Sequence, residues 1–142
     1  VMLTKDENIP VLCEVLSSET ASDAYHQTAT SPDAQGPTLA MKAALKKAGV
    51  DADKISYVNA HGTATPNNDE SESTAMVNVF GEKVPPFSST KFWTGHTLGA
   101  CGVLELALSA EVLKRQQILP TRNFEKEERL SAVFKIEKNE LE

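Results

Sequence analysis

The 142-residue sequence holds only two cysteines, Cys13 and Cys101. They are far apart, and neither belongs to a spacing typical of metal ligands, so no metal site is expected. Each cysteine lies in an apolar run, which favours a buried and unreactive thiol. The cysteine pattern therefore indicates neither a metal centre nor a thiol nucleophile within this stretch of chain.

The sequence also lacks an uncharged apolar run long enough to span a membrane, because Glu105 and Glu111 interrupt the segment after Gly95. No signal peptide is recognisable, and a cytoplasmic protein is expected. The net charge of −6 argues against wholesale binding to nucleic acid. These absences leave an ordinary globular domain without membrane or nucleic-acid partners.

The length predicts a single domain, and 40% hydrophobic and 24% charged residues are typical of a globular one. Short apolar runs predict strands, and segments with helical periodicity between glycine and proline signals predict helices between them. The predicted strands are residues 9–16, 55–60, 84–90 and 131–136, and the predicted helices are residues 37–48, 70–80 and 98–117. This β-α-β-α-β-α-β order predicts an α/β domain with helices layered on a mixed β-sheet.

Two helices carry more detailed predictions. Asp69 and Glu72 have the spacing of a capping box, with Asp69 as the N-cap of the second helix. The third helix is apolar all round its axis, so a buried helix is expected, and Gly99 and Gly102 would allow another backbone to approach it closely. Gly49 and Gly81 are expected to end the first two helices.

Two histidines follow predicted strands at points where the chain turns into a helix. His61 comes after the second strand, and His96 comes five residues after Lys91, at the end of the third. A rigid sheet holds such corners in place, which is why α/β proteins often place their chemistry there. Glu105 is a carboxylate inside the apolar third helix, where it is costly unless paired, and Lys91 is its natural partner. A solvated surface ion pair is the alternative.

Two motifs resemble those of the β-ketoacyl-acyl-carrier-protein synthases, condensing enzymes of the thiolase-like superfamily. They are N-A-H-G-T-A-T-P at residues 59–66 and S-S-T-K-F-W-T-G-H-T-L-G-A at residues 88–100, and a weaker resemblance covers residues 11–123. The resemblance implies that residues 1–142 are a thiolase-like half-domain, the C-terminal half of such a synthase. The family's nucleophilic cysteine belongs to an N-terminal half that this sequence does not include.

The resemblance also implies roles for particular side chains. His61 and His96 would be catalytic and donate hydrogen bonds to the thioester oxygen of a malonyl group as it loses CO₂. Lys91, supported by Glu105, would orient the site, and Thr63 and Thr65 would bind the pantetheine arm of the substrate. Without the motifs, these residues would be interpreted as satisfied polar groups and turn hydroxyls. Phe92 and Trp93 depart from the smaller residues common in the family, which leaves the acyl substrate open.

The implied activity is an acyltransferase reaction, the decarboxylative Claisen condensation of an acyl thioester with malonyl-acyl carrier protein in fatty-acid, polyketide or polyene synthesis. No resident cofactor is expected, since phosphopantetheine arrives on the carrier protein or as CoA. Expected partners are acyl carrier protein and the missing half or a homologous synthase subunit, with a homodimer when complete. We expect the chain alone to be inactive in condensation, since it lacks the nucleophile.

Two other interpretations of the sequence were considered. A non-catalytic subunit that pairs with a cysteine-bearing synthase, like a chain-length factor, shares the fold, but such subunits often lose both histidines. A metal-binding or hydrolytic domain would use His61, His96 and Asp69, whose spacing is not compact. The sequence upstream of Val1 would separate a synthase half from a non-catalytic subunit.

Overall fold

A computed structural model describes residues 3–122 of the chain. The helices are α1 (Gln35–Ala48), α2 (Pro66–Phe80), α3 (Lys91–Thr94) and α4 (Cys101–Arg115), and the strands are β1 (Val58–Asn59) and β2 (Phe87–Ser88). Short 3₁₀ turns cover Ala52–Lys54 and Leu98–Ala100. The α/β class expected from the sequence is therefore confirmed.

The two strands lie side by side and run parallel, with Val58 opposite Phe87 and Asn59 opposite Ser88. Helix α2 connects them as a crossover, which is how parallel neighbours must be joined. The ladder extends to the amide of Ala60, which donates to the Ser88 carbonyl at 2.9 Å. Both strands are shorter than predicted. Pro85 and Pro86 stand just before β2 and have no N–H to add to the ladder.

The ends of α1 and α2 lie where local chemistry predicts them. Gly49 follows α1 in the left-handed conformation, with φ of 65°, and its N–H reaches the carbonyls of Leu45 and Lys46. Gly81 follows α2 with φ of 62°. Glycine adopts such angles without a steric penalty, so both predicted stops are confirmed.

The predicted capping box at the start of α2 is wrong. The N-cap is Thr65, whose side-chain oxygen accepts the N–H of Asn68 at 3.3 Å, and Pro66 occupies the first helical position. Proline is favoured there because the first N–H of a helix has no partner inside the helix. The helix therefore begins one turn earlier than predicted, and Glu72 is free to bond elsewhere.

The predicted first strand, residues 9–16, is also wrong. The structure assigns no strand to this segment, and Ile9, Val11, Leu12, Val15 and Leu16 are exposed. An apolar run becomes a strand only when another strand pairs with it, and no such partner lies beside it within residues 3–122. The last predicted strand, residues 131–136, lies outside the described residues.

Helix α4 is not the buried helix expected from its composition. Only Cys101 and Val112 of α4 are buried, whereas the apolar side chains exposed on it and on the preceding turn are Leu98, Val103, Leu104 and Leu113. An all-round apolar helix needs cover on every side, and no other helix or strand in residues 3–122 covers this face. The expectation of burial therefore fails for the described part of the chain.

Helix α1 packs against α2, and the small core lies beneath them. Ala34, Ala75 and Met76 are almost fully buried there. The end of β2 and the residues that follow it are polar although they are buried, as Ser88, Ser89, Thr90 and Lys91 all show. The Ser88 hydroxyl bonds to the Tyr57 hydroxyl at 2.8 Å, and Ser89 and Lys91 make the bonds of the site described next. The Thr90 hydroxyl has no hydrogen-bond partner among the described residues.

Candidate active site

The two predicted corners meet at the end of the parallel strand pair. β1 leads directly to His61, and β2 leads through Ser89 and Thr90 to Lys91 and then His96. The imidazole centroids of His61 and His96 lie 5.2 Å apart with an interplanar angle of 84°. The two histidines therefore converge, as a shared role toward one thioester oxygen requires.

Glu72 holds the backbone of the first corner, a contact that sequence reasoning missed. Its carboxylate on α2 accepts the N–H of His61 at 2.6 Å and the N–H of Gly62 at 2.9 Å. A carboxylate that takes two successive backbone donors is a strong, directional anchor. The capping-box spacing of Glu72 predicts only a local bond within α2. The actual bond spans 11 residues.

Ser89 joins the two corners. Its hydroxyl donates to the Gly62 carbonyl at 3.0 Å, and the Lys91 N–H donates to the same hydroxyl at 3.3 Å. Gly62 has φ of 47°, and a Cβ added there would lie 2.4 Å from the Cβ of Ser89. Both the conformation and the close approach therefore require glycine at this position.

Lys91 and Glu105 form an ion pair that links the second corner to α4. The Lys91 ammonium contacts the Glu105 carboxylate, and the two side chains are only 7% and 18% exposed. Burial of both groups shields the pair from solvent screening, unlike a surface pair. The prediction that Glu105 is nearly buried and touches Lys91 is confirmed.

Asn59 ties α4 to the strand pair. Its side-chain amide donates to the Glu105 carbonyl and to the Ser109 hydroxyl, each at 3.3 Å. The strand residue two positions before His61 therefore contacts the helix that carries the partner of Lys91. The first motif thus helps to fix the position of the second.

The His96 ring is oriented by the turn that leads into α4. Its Nδ1 accepts the Leu98 N–H at 3.3 Å and lies 3.1 Å from the Sγ of Cys101. A backbone N–H therefore holds one nitrogen of the His96 ring in place. The neighbouring thiol was not foreseen.

The environment of His61 favours its neutral form. Partial burial of the ring lowers its pKa below the usual value of 6.5, and the positive charge of Lys91 lowers it further. The carboxylates of Glu72 and Glu105 act in the opposite direction but do not reverse the shift. His61 is therefore mainly neutral at pH 7, the state in which one ring nitrogen donates and the other accepts.

We expect the His61 titration followed by NMR to show a midpoint below 6.5. Because the unfolded chain then binds more protons than the folded one, His61 lowers folding stability as the pH falls from 6.5 through the folded pKa. Lys91→Met should raise the midpoint, since it removes a repelling charge and leaves the Glu105 carboxylate. Lys114→Met on the exposed end of α4 is the matched control. A midpoint at or above 6.5 in the unsubstituted chain would contradict the prediction.

The two threonines predicted to bind substrate lie on the His61 corner. The hydroxyls of Thr63 and Thr65 are 3.3 Å apart, and that of Thr65 also caps α2. Their role toward pantetheine stays a prediction. Phe92 and Trp93 are about half exposed, pack edge to face at 5.2 Å, and face the Arg122 guanidinium at 5.3 Å from each ring.

No group of three or more His, Cys, Asp or Glu side chains within residues 3–122 could hold a metal ion. No helix in this part of the chain is both long and apolar enough to cross a membrane.

The fold is that of a thiolase-like half-domain. The structure is similar to a β-ketoacyl synthase from Burkholderia phymatum, with a TM-score of 0.76 and 41% identity over 82% of this chain and 28% of the other. It is also similar to the ketosynthase ApeO in complex with its chain length factor ApeC from Xenorhabdus doucetiae. That match has a TM-score of 0.71 and 44% identity over 78% of this chain and 27% of the other.

The chain belongs to the β-ketoacyl synthase family, because residues 12–125 match the model described as "Beta-ketoacyl synthase, C-terminal domain". It is 44% identical over 113 residues to 3-oxoacyl-[acyl-carrier-protein] synthase 2 of Staphylococcus aureus and 39% identical over 123 residues to that of Coxiella burnetii. These matches cover 78% and 85% of this chain but only 28% and 30% of the relatives.

Proposed function

We propose that the chain supplies the malonyl-decarboxylating side of a β-ketoacyl-acyl-carrier-protein synthase site. The observation that carries the proposal is the edge-to-face pair of His61 and His96, 5.2 Å apart at the end of a parallel strand pair. The curated relatives carry the name 3-oxoacyl-[acyl-carrier-protein] synthase 2, which fits this chemistry.

The reaction places negative charge on one oxygen. The bond between the malonyl carboxylate and its α-carbon breaks, CO₂ leaves, and the electron pair spreads onto the thioester oxygen as an enolate. The enolate carbon then attacks an acyl thioester carbonyl, a carbon–carbon bond forms, and the thiolate of that acyl carrier leaves. Preorganised hydrogen-bond donors aimed at the enolate oxygen lower the barrier to its formation.

His61 and His96 are the donors in this proposal. Two imidazoles on separate rigid corners can each direct one N–H to a shared oxygen, because the bonds of Glu72 and Leu98 hold the corners and the His96 ring. Lys91, paired with Glu105, would orient the two histidines. Its ammonium also lowers the pKa of His61, which keeps that ring neutral.

The substrate would reach this cleft on a pantetheine arm, which arrives with the carrier protein or as CoA, so no resident cofactor is needed. Thr63 and Thr65 lie in the loop between His61 and α2 and would bind the amides of that arm. Acyl carrier protein is the proposed partner. One similar solved structure is that of a type II acyl-carrier protein in complex with its ketosynthase, with a TM-score of 0.76 and 30% identity.

The nucleophile would come from a companion half or a homologous synthase subunit, and a homodimer is proposed for the complete assembly. Cys13 lies on the segment before α1, and Cys101 is buried with its thiol against His96. A chain-length-factor-like subunit would share the fold. The intact histidine pair favours the catalytic half over that alternative.

The purified chain should convert malonyl-CoA slowly to acetyl-CoA and should form no β-ketoacyl product when an acyl-CoA is added. Decarboxylation needs the histidine side of the site, whereas condensation needs a thiolate that holds the acyl group. Mass spectrometry of the CoA products measures both reactions in one sample.

Two results would contradict this proposal. Acetyl-CoA formation no faster than in buffer would show that the histidine side does not act by itself. A β-ketoacyl product that Cys101→Ala abolishes would identify Cys101 as the nucleophile. Cys13→Ala is the matched control, because it removes the other thiol of the chain.

A further inference from the structure

The proposed reaction does not by itself account for the contact between Cys101 and His96. The Cys101 Sγ lies 3.1 Å from His96 Nδ1, and Cys101 as a whole is only 7% exposed. The same sulfur accepts the Thr97 N–H at 3.2 Å, and the Thr97 hydroxyl lies 3.5 Å from it. The thiol is therefore enclosed by the turn that carries His96.

The direction of the bond between these two side chains follows from a third group. The Leu98 N–H points at His96 Nδ1 from 3.3 Å, and an amide can only donate. Nδ1 must therefore present its lone pair, so in the neutral ring the proton is on Nε2. With no hydrogen on Nδ1, the hydrogen between Nδ1 and Sγ belongs to the thiol.

We infer that Cys101 is a positioning residue for His96, whose S–H donates to Nδ1 and fixes the Nε2–H tautomer. The Thr97 N–H fixes the thiol in turn by donating to Sγ. Cys101 touches neither substrate nor reacting atoms in this role, and its effect passes through the imidazole.

This arrangement also explains why Cys101 does not act as a nucleophile with His96 as its base. The sulfur already accepts the Thr97 N–H, and the turn that carries His96 encloses it. The sulfur is also buried, so an acyl carbonyl has no open path to it within the described residues. The catalytic meaning of the inference rests on the proposed function, whereas the hydrogen bond itself does not.

Infrared spectroscopy of the S–H stretch tests the bond without turnover. The chain has only two cysteines, so Cys13→Ala leaves a single S–H band, that of Cys101. We expect this band at a lower frequency than the Cys13 band that remains in Cys101→Ala. Adding His96→Ala to the Cys13→Ala chain should move the band to higher frequency. An S–H frequency that His96→Ala leaves unchanged, or the absence of the Cys101 band at pH 7, would overturn the inference.

The ¹⁵N shifts of the His96 ring provide the second readout. The unsubstituted chain should show a protonated Nε2 and an acceptor Nδ1. Cys101→Ala should raise the share of the other tautomer about fivefold, the equivalent of one ordinary hydrogen bond, and Cys101→Ser should restore the first pattern. An unchanged tautomer in a folded Cys101→Ala chain would show that Leu98 suffices and would overturn the role of Cys101.

The two readouts separate this inference from the proposed function. If malonyl-CoA is not decarboxylated but both spectroscopic results hold, the proposed function fails and the Cys101–His96 bond stands. If malonyl-CoA is decarboxylated but His96→Ala leaves the S–H frequency unchanged, the inference fails and the proposed function stands. The infrared comparison of the Cys13→Ala chain with and without His96→Ala keeps Cys101 in place. It therefore remains decisive even where Cys101→Ala does not fold.

Discussion

Replacing His61 or His96 with alanine should lower the rate of malonyl-CoA decarboxylation by about 10²- to 10³-fold each, the usual effect of removing one oxyanion donor. The double substitution should be little worse than either single one, because two donors to one oxygen act as a unit. The Michaelis constant should change less than the turnover number, since both donors act mainly on the charge that develops in the transition state.

His26→Ala is the matched control for this experiment. It removes the third histidine of the chain, which lies in the loop before α1, and should leave the rate unchanged. Equal loss of rate in all three alanine variants would point to a general effect on folding. A rate unaffected by His61→Ala would remove that ring from the proposed mechanism.

Glu105→Ala should lower the free energy of unfolding by about 3 kcal/mol, because it leaves the buried Lys91 ammonium without its counter-charge. The side chains are 7% and 18% exposed, so solvent can compensate only in part. Typical domains are stable by about 5–15 kcal/mol, so this is a large share of the total. Urea denaturation at low protein concentration measures the change.

The control lies on the same helix. Glu111 pairs with Arg115 at 2.8 Å, but its side chain is 42% exposed, so Glu111→Ala should leave the free energy of unfolding close to that of the unsubstituted chain. The double variant Lys91→Met with Glu105→Leu should recover most of the lost stability, since no buried charge remains unpaired. A Glu105→Ala chain as stable as Glu111→Ala would show that the Lys91 charge is solvated.

Local chemistry was enough to predict the features that depend on a few neighbouring residues. Gly49 and Gly81 end their helices as expected, because an αL or similar conformation at a helix end depends on the residue that adopts it. The pairing of Lys91 with Glu105 was also predictable, because a carboxylate in an apolar helix requires a partner and the family resemblance places a lysine and a glutamate at these positions.

Features that depend on distant parts of the chain were not predictable in this way. Residues 9–16 and α4 have the composition of buried elements. Their burial depends on a partner surface, and none covers them within residues 3–122. Sequence spacing reports only on residues that are near each other along the chain. Burial of a segment depends on a surface supplied by residues far from it in sequence.

The sequence by itself determined the α/β class, the motifs that carry His61 and His96, and the pairing of Lys91 with Glu105. Only the tertiary structure decided that Glu72 holds the His61 corner, that Ser89 joins it to the second corner, and that Cys101 meets His96. The reason is geometric. A hydrogen bond needs a specific distance and direction between two groups, and for the first two of these bonds only the packing of α2 and the strands brings the groups within reach.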